Sequence, residues 1–399
     1  MSESRTSSAA DGESLPAQEK RVSSAELFFD LVFVFAVTEL SALLGRDHSW
    51  AGLLRALVLF VPIYWMWVGT AIQTNLRDIS RPGLRVEVFA VALAAVFMAL
   101  ALPEAYGHLG LLYALAYWAG RVILGAPLFR SAAGGFRRVN PYTVSIVLTG
   151  PLLIVGALCP SGVREGLWGL AALLDLATPT LLRSRLRGMR FDAPHLAERF
   201  SLFVLIALGE SVVAIGASAQ SGHRLNVAVG CAVAAAFALS CGLWWVYFHF
   251  AADAIQHALQ TAKVQVDITR LVLSYGHLSF IAAIILVAVG MRDAVALPGH
   301  ALGWGVGGLL YGGVALYLAT FGFTRWAMFR LVSWTRLTAA AVVAVSLPVG
   351  AHLPALAALA GLALTVGVLN AVELMRVARP AWRTQLFRRR RAAVAERSR

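Results

Sequence analysis

Six polar side chains stand inside or beside runs of apolar sequence: Asp30, Arg121, Asp175, Glu210, Ser211 and His277. Carboxylates, a guanidinium, a hydroxyl and an imidazole are groups that pass protons or hold ions. A charge at the centre of a bilayer costs about 2.5–3.5 kcal/mol even on insertion scales. Ionisable residues kept at that depth commonly mark proton or ion paths. Asp30 lies in "ELFFDLVFVFAVTEL" (26–40), four residues after Glu26, so the two carboxylates share one helix face. Glu26 and Glu39 read as the two water-facing ends of that span, with Asp30 about 6–8 Å inside it. Glu210, in "ALGESVVAIG", lies about 18 Å along a helix counted from Glu198, near mid-membrane. Gly209 beside it admits a backbone or a solute, and Ser211 adds a hydroxyl. Asp175 sits halfway through "LWGLAALLDLATPT", and Pro179 four residues on frees the Asp175 carbonyl from its usual partner. Arg121, in "YWAGRVILG", and His277 are the available partners. The alternative is structural, because an acid paired with Arg121 would lock helices together. For each histidine a satisfied core role is the simpler reading. For Glu210 and Asp175 together the expectation is a proton or cation path.

The elements holding these groups must be membrane helices. The chain is 59% hydrophobic and 14% charged, with a mean hydropathy of +0.72, whereas soluble domains carry about 25% charged residues. A helix needs about 20 apolar residues to cross a bilayer. Runs of that kind predict an all-α polytopic membrane protein of about twelve transmembrane helices. They fall near 25–44, 50–74, 84–104, 108–128, 141–159, 164–183, 198–219, 225–250, 269–291, 300–322, 333–350 and 353–376. Residues 1–24 read as a disordered cytoplasmic tail, and the run after them as a retained helix, not a cleaved signal. Residues 25–185 form a first membrane half, 186–197 a basic linker, 198–376 a second half and 377–399 an Arg-rich tail. With both termini cytoplasmic, about 28 of the 34 Lys and Arg fall inside, against Arg46, Arg55, Arg164, Arg224 and Arg292 outside. "YWMWVG" (64–69) echoes "WWVYFH" (244–249), and "ELFFDLVFVFA" echoes "ERFSLFVLIALGE". Six helices is an even number, so two such halves would run parallel.

Several function classes drop out. The net charge of +13 raises nucleic acid as a partner. The arginines, however, lie in short clusters between apolar runs and in the tail "RRRRAAVAERSR", not along one face of a domain. That tail suits anionic lipid, at about 1 kcal/mol per basic residue near the surface. Cys159, Cys231 and Cys241 lack metal-ligand or disulfide spacing and are expected as small buried hydrophobes. "GWGVGG" (303–308) fits a dinucleotide pattern by spacing but has neither strand nor ribose-binding acid around it. With Gly312 and Gly313 it reads as a small-residue face for close helix packing. HExxH, GxSxG, P-loop and CxxC are absent from the sequence, so no cofactor and no enzymatic activity are expected. Lysine occurs only at 20 and 263, which leaves no intramembrane Schiff base. The Trp/Tyr clusters read as anchors or core before they read as a cation cage.

"SSAELFFDLVFVFAVTELS", "ALPEAYG", "HLAERFSLFVLIALGESVVAIG", "WWVYF" and "YGHLSFIAAIILVAVG" together resemble the bacterial low-temperature-requirement protein A family, in family order and over nearly the whole chain. The resemblance implies a polytopic bacterial membrane protein; the family name records a growth phenotype and supplies no substrate. The residues themselves point to a proton- or cation-coupled secondary transporter in the cytoplasmic membrane. The alternative is a non-transporting scaffold or sensor that supports growth in the cold.

Overall fold

The computed structural model describes residues 20–131, 139–221, 226–249 and 251–397, and every regular element among them is helical. The helices are α1 Ser24–Leu44, α2 Trp50–Leu76, α3 Pro82–Ala101, α4 Gly110–Ser131, α5 Pro141–Leu158, α6 Val163–Leu181 and α7 Ala193–Ser221. They continue as α8 Val227–Phe248, α9 Ala252–Thr261, α10 Gln265–Ala296, α11 Trp304–Phe329, α12 Trp334–His352 and α13 Ala355–Arg397. Ten are long and apolar enough to cross a membrane, so this is a polytopic all-α membrane protein. The expected count of twelve is not reached on those grounds. α4 is apolar over Gly110–Ala126, short of a full span among the described residues, and α6 carries Arg164, Glu165 and Asp175 among its 19 residues.

Local chemistry sets many of the ends. Ser23 caps α1 in a reciprocal box with Glu26, and Ser49, Asn140 and Asn226 cap α2, α5 and α8 through their side chains. Trp50, Trp304 and Trp334 open α2, α11 and α12 and are 87%, 59% and 73% exposed, as expected of aromatic anchors at a membrane boundary. α7 begins at Ala193, five residues before the boundary read from the sequence, so His195 and Ala197 are helical and buried. α13 continues through the Arg-rich segment to Arg397. The side chains of that segment, and residues 1–19 of the amino-terminal tail, lie outside the described residues.

One order of neighbours occurs twice. α1 packs on α3, α3 on α4, α4 on α5, α5 on α6, α6 on α2, and α2 closes the ring on α1. α7 packs on α10, α10 on α11, α11 on α12, α12 on α13, α13 on α8, and α8 closes on α7. α1 and α2 touch α7 and α10 between the two rings.

Two expectations about small residues change. Gly313 does bring α11 against α10, and Gly307 packs on Leu347, but a side chain at Gly308 or Gly312 would meet open space. A close approach of backbone to backbone lies at Gly290 of α10. A Cβ there would lie 2.9 Å from the Cα and 3.0 Å from the amide nitrogen of Leu310. Backbone cannot swing aside, so Gly290→Ala should cost about 1–3 kcal/mol, read as a lower melting temperature in detergent. Cys231 and Cys241 are exposed, not buried, on a helix whose outward face carries Phe237, Trp244 and Trp245 as well. In a bilayer such a face meets lipid chains.

Candidate functional site

α1 and α7 each carry two polar residues one turn apart, and the pairs meet. Arg199 Nη1 lies 2.9 Å from Glu26 Oε1, and Arg199 Nη2 donates to Asp30 Oδ1 at 2.7 Å. His195 Nε2 is 3.2 Å from Glu26 Oε1. The indole of Trp67, on α2, donates to Asp30 Oδ1 at 2.8 Å, and the Arg199 guanidinium stands over that ring at 5.9 Å. Glu26, Asp30, His195 and Arg199 are all fully buried. Glu26 is therefore not at a water interface, as its position near the start of the first span implied. Its Oε2 completes the Ser23 capping box, and its Oε1 faces α7.

The histidine's proton can be placed from its neighbours. The backbone of Asp192 donates to Asn75 Oδ1 at 3.1 Å and accepts from Asn75 Nδ2 at 2.9 Å, which fixes the amide. Asn75 Nδ2 then donates to His195 Nδ1 at 3.0 Å. Nδ1 is an acceptor, so the ring is neutral and its Nε2–H points at Glu26. Arg199 is thus the cation inside the cluster. Lys20 adds a second at its edge, donating to the carbonyls of Thr74, Asn75 and Arg77 at the end of α2, where a cation suits the helix dipole. Burial pulls the Lys20 ammonium below the usual lysine range, while the charge of Glu26 acts against that.

A second cluster surrounds Asp175. Tyr117 of α4 donates to Asp175 Oδ2. Ser145 and Thr149 of α5 donate to Oδ1 at 3.0 and 3.1 Å. Ser145 also accepts from Arg121 Nη2 at 2.7 Å, so one hydroxyl bridges guanidinium and carboxylate without a direct ion pair. Arg121 Nη1 donates to the Trp65 carbonyl at 3.2 Å. Residues Ser145–Thr149 form a π-helical stretch, and both donors to Asp175 Oδ1 come from it. Such stretches are frequent at functional sites. The carbonyls on either side of Asp175, at Leu174 and Leu176, accept from Thr178 and Tyr275.

Beside this cluster is a cavity of about 490 Å³ with Trp65, Arg121, Tyr142, Thr269 and Arg270 in its wall. Arg77, Asn140, Leu186 and Val266, at or near helix ends beside the basic loops, line it as well. A second π stretch, Thr269–Gly276 of α10, supplies another part of the wall. Its irregular carbonyls are answered by side chains: Tyr64 donates to Leu273 and Ser274 at 3.2 and 2.8 Å, and His277 Nδ1 meets Val272 O at 2.9 Å. Tyr64→Phe removes the donor to two buried carbonyls. It should destabilise by about 1–3 kcal/mol, seen as a lower thermal midpoint at unchanged helix content.

The remaining candidates lie apart. His277 is fully buried, with Nε2 2.7 Å from the Tyr247 hydroxyl and Phe200 and Phe280 against its ring, the satisfied core role. Ser211 donates to the Leu208 carbonyl of its own helix at 2.6 Å. Glu210 is 8% exposed and has Thr38 of α1 as its hydrogen-bonding neighbour. Among the described residues no hydrogen bond or ion pair joins it to Asp175 or Arg121, nor does any group of three or more His, Cys, Asp and Glu come close enough to hold a metal. Trp67 stacks on Phe203 at 4.1 Å and Trp65 on Tyr275 at 6.1 Å, which is core packing and not a cation cage. The sequence reading passed over His195 and Arg199, whose four-residue spacing complements that of Glu26 and Asp30. It also passed over Tyr117, Ser145 and Thr149.

Fold and site together define a polytopic membrane protein with two buried polar clusters and a cavity beside one of them. A family model described as bacterial low temperature requirement A protein (LtrA) matches residues 21–371, and the chain belongs to this family. It is 34% identical over 297 residues to an uncharacterised protein of Rhizobium meliloti (strain 1021), covering 70% of this chain and 71% of that one. No solved structure matches.

Proposed function

We propose that this LtrA-family protein is a proton- or cation-coupled secondary transporter, a carrier and not an enzyme, in the bacterial cytoplasmic membrane with both termini inside. The observation that carries the reading is the hydroxyl bridge from Arg121 through Ser145 to Asp175. It joins a solute-sized cavity to a fully buried carboxylate. Loading the cavity changes the field at Arg121, and Ser145 passes that change to Asp175, which takes up or gives up its ion. Tyr117 and Thr149 hold the carboxylate in place for that exchange. The recurring ring of neighbours supports two related halves, as alternating-access carriers commonly have, and α1, α2, α7 and α10 form the seam between them. The Arg-rich tail would rest on anionic lipid at the same side.

The competing reading, a scaffold that supports growth in the cold, draws on the Glu26–Arg199–Asp30 cluster, which ties α1 to α7. Reconstitution into proteoliposomes with an internal pH dye separates the two. Ion gradients and a mixed solute pool are applied in turn to wild type and Asp175→Asn. A carrier gives flux that the variant loses; no flux under any gradient returns the scaffold.

A further inference from the structure

We infer that the cavity binds a small organic carboxylate with an apolar body, its anionic head held by Arg121. The inference deepens the carrier reading and rests on it for the claim that the bound anion is cargo. Three residues of the cavity wall each carry a buried polar side-chain atom with no hydrogen-bond partner in the structure: Arg121 Nε, Thr269 Oγ1 and Arg270 Nε. Arg121 is 1% exposed and Thr269 is 4% exposed, so water at the surface does not serve them. Buried polar groups are nearly always paired, and each exception calls for a reason. All three can donate, and no aspartate or glutamate stands in the wall. The missing partner is therefore an acceptor, and next to a guanidinium a charged acceptor is favoured.

The rest of the wall excludes the alternatives. Trp65, Val68, Ile72, Leu76, Met189 and Phe191 make it largely apolar. An inorganic anion would lose its hydration there and gain only the donors, whereas an aliphatic or aromatic body would bury its own surface as well. A cation would face three guanidinium groups and no carboxylate in the wall itself, since Glu87 and Asp267 are already paired with Arg77 and Arg270. The volume of about 490 Å³ falls in the range of small-molecule sites, roughly 300–1,000 Å³.

The test is a thermal-unfolding titration of the full chain in a neutral detergent with benzoate, benzylamine and inorganic phosphate. Benzoate is expected to stabilise the protein saturably, with little effect from the other two. Arg121→Gln should weaken benzoate by about 10- to 100-fold, the loss of one charge-assisted hydrogen bond converted to affinity, and Arg121→Lys by less. Should Arg121→Gln fail to fold, Ile72→Trp, which fills the cavity from its apolar wall, should abolish the benzoate response and leave the Arg121 bonds intact. The inference is overturned if benzylamine or phosphate binds as well as benzoate, or if benzoate binds both variants as it binds wild type. Benzoate binding without flux would keep the anion site and remove the carrier. Proton flux without carboxylate binding would do the reverse.

Discussion

Arg199→Ala should lower the stability of the protein by about 3–5 kcal/mol, the range for removing one partner of a buried ion pair. Two fully buried carboxylates share this guanidinium, Glu26 at 2.9 Å and Asp30 at 2.7 Å. Without it both are left with neutral donors, His195 and Trp67, and with Lys20 at the margin. The expected readout is a lower melting temperature in detergent together with reduced membrane yield. A rescue distinguishes this mechanism from simple loss of packing. Arg199→Met combined with Glu26→Gln and Asp30→Leu replaces the whole cluster by neutral groups, and should recover most of the loss, because a buried ion pair often contributes little beyond an apolar filling of similar volume. A single-site loss below about 1 kcal/mol would place these charges among the surface-like pairs that stabilise weakly.

Asp175→Asn is the second large effect, and it falls on transport instead of folding. The amide can still accept from Tyr117 through its oxygen, and its nitrogen can donate to a Ser145 or Thr149 hydroxyl turned about its own bond. The fold should therefore persist, with a melting temperature within a few degrees of wild type. The variant cannot exchange a proton, however, and coupled flux should fall by about 100-fold or more, the lower end of what a positioned acid or base contributes to proton transfer. Glu210→Gln serves as the comparison, since that carboxylate neighbours Thr38 and not the cavity. Unchanged flux in Asp175→Asn would remove Asp175 from the path.

How much of this was legible in the sequence differs from residue to residue. Hydropathy marks the spans, because a bilayer imposes one length on every helix that crosses it. The run 164–183 was read as a span and is helical as α6, although Arg164, Glu165 and Asp175 dilute its apolar character. The depth of Asp175 followed from counting along its helix, and it is fully buried. Glu26 was misjudged because helix position sets depth in the membrane but not which neighbour covers a side chain; α7 covers it. Arg199 was hidden by the reading that ended the basic linker after residue 197 and placed the start of the helix at the interface. The complementary spacing of Glu26 and Asp30 with His195 and Arg199 was available as a signal, though it names a contact only once the two helices are known to be neighbours. The hydroxyls around Asp175 had no signal of that kind. Ser145 and Thr149 look like ordinary small residues in an apolar run, and the π stretch that brings both onto one carboxylate oxygen is a property of the packed backbone.

Those two stretches also carry a consequence for reading frames along the helices. A π turn holds roughly one residue more than the α-helical turn it replaces, so each stretch behaves as an insertion absorbed inside a span. Deleting one residue from Ser145–Thr149 or from Thr269–Gly276 would restore a regular helix and leave everything beyond it in phase, whereas a residue gained or lost elsewhere in the span would rotate everything beyond it by about 100°. In α5 such a rotation would carry the segment after Thr149 off its contacts with Trp168, and in α10 it would turn Gly290 away from Leu310. The cavity wall and a close helix contact are thus phased by the same backbone irregularities, and an alignment with a chain that lacks either stretch needs a one-residue gap there or misplaces every later residue of that span by one position.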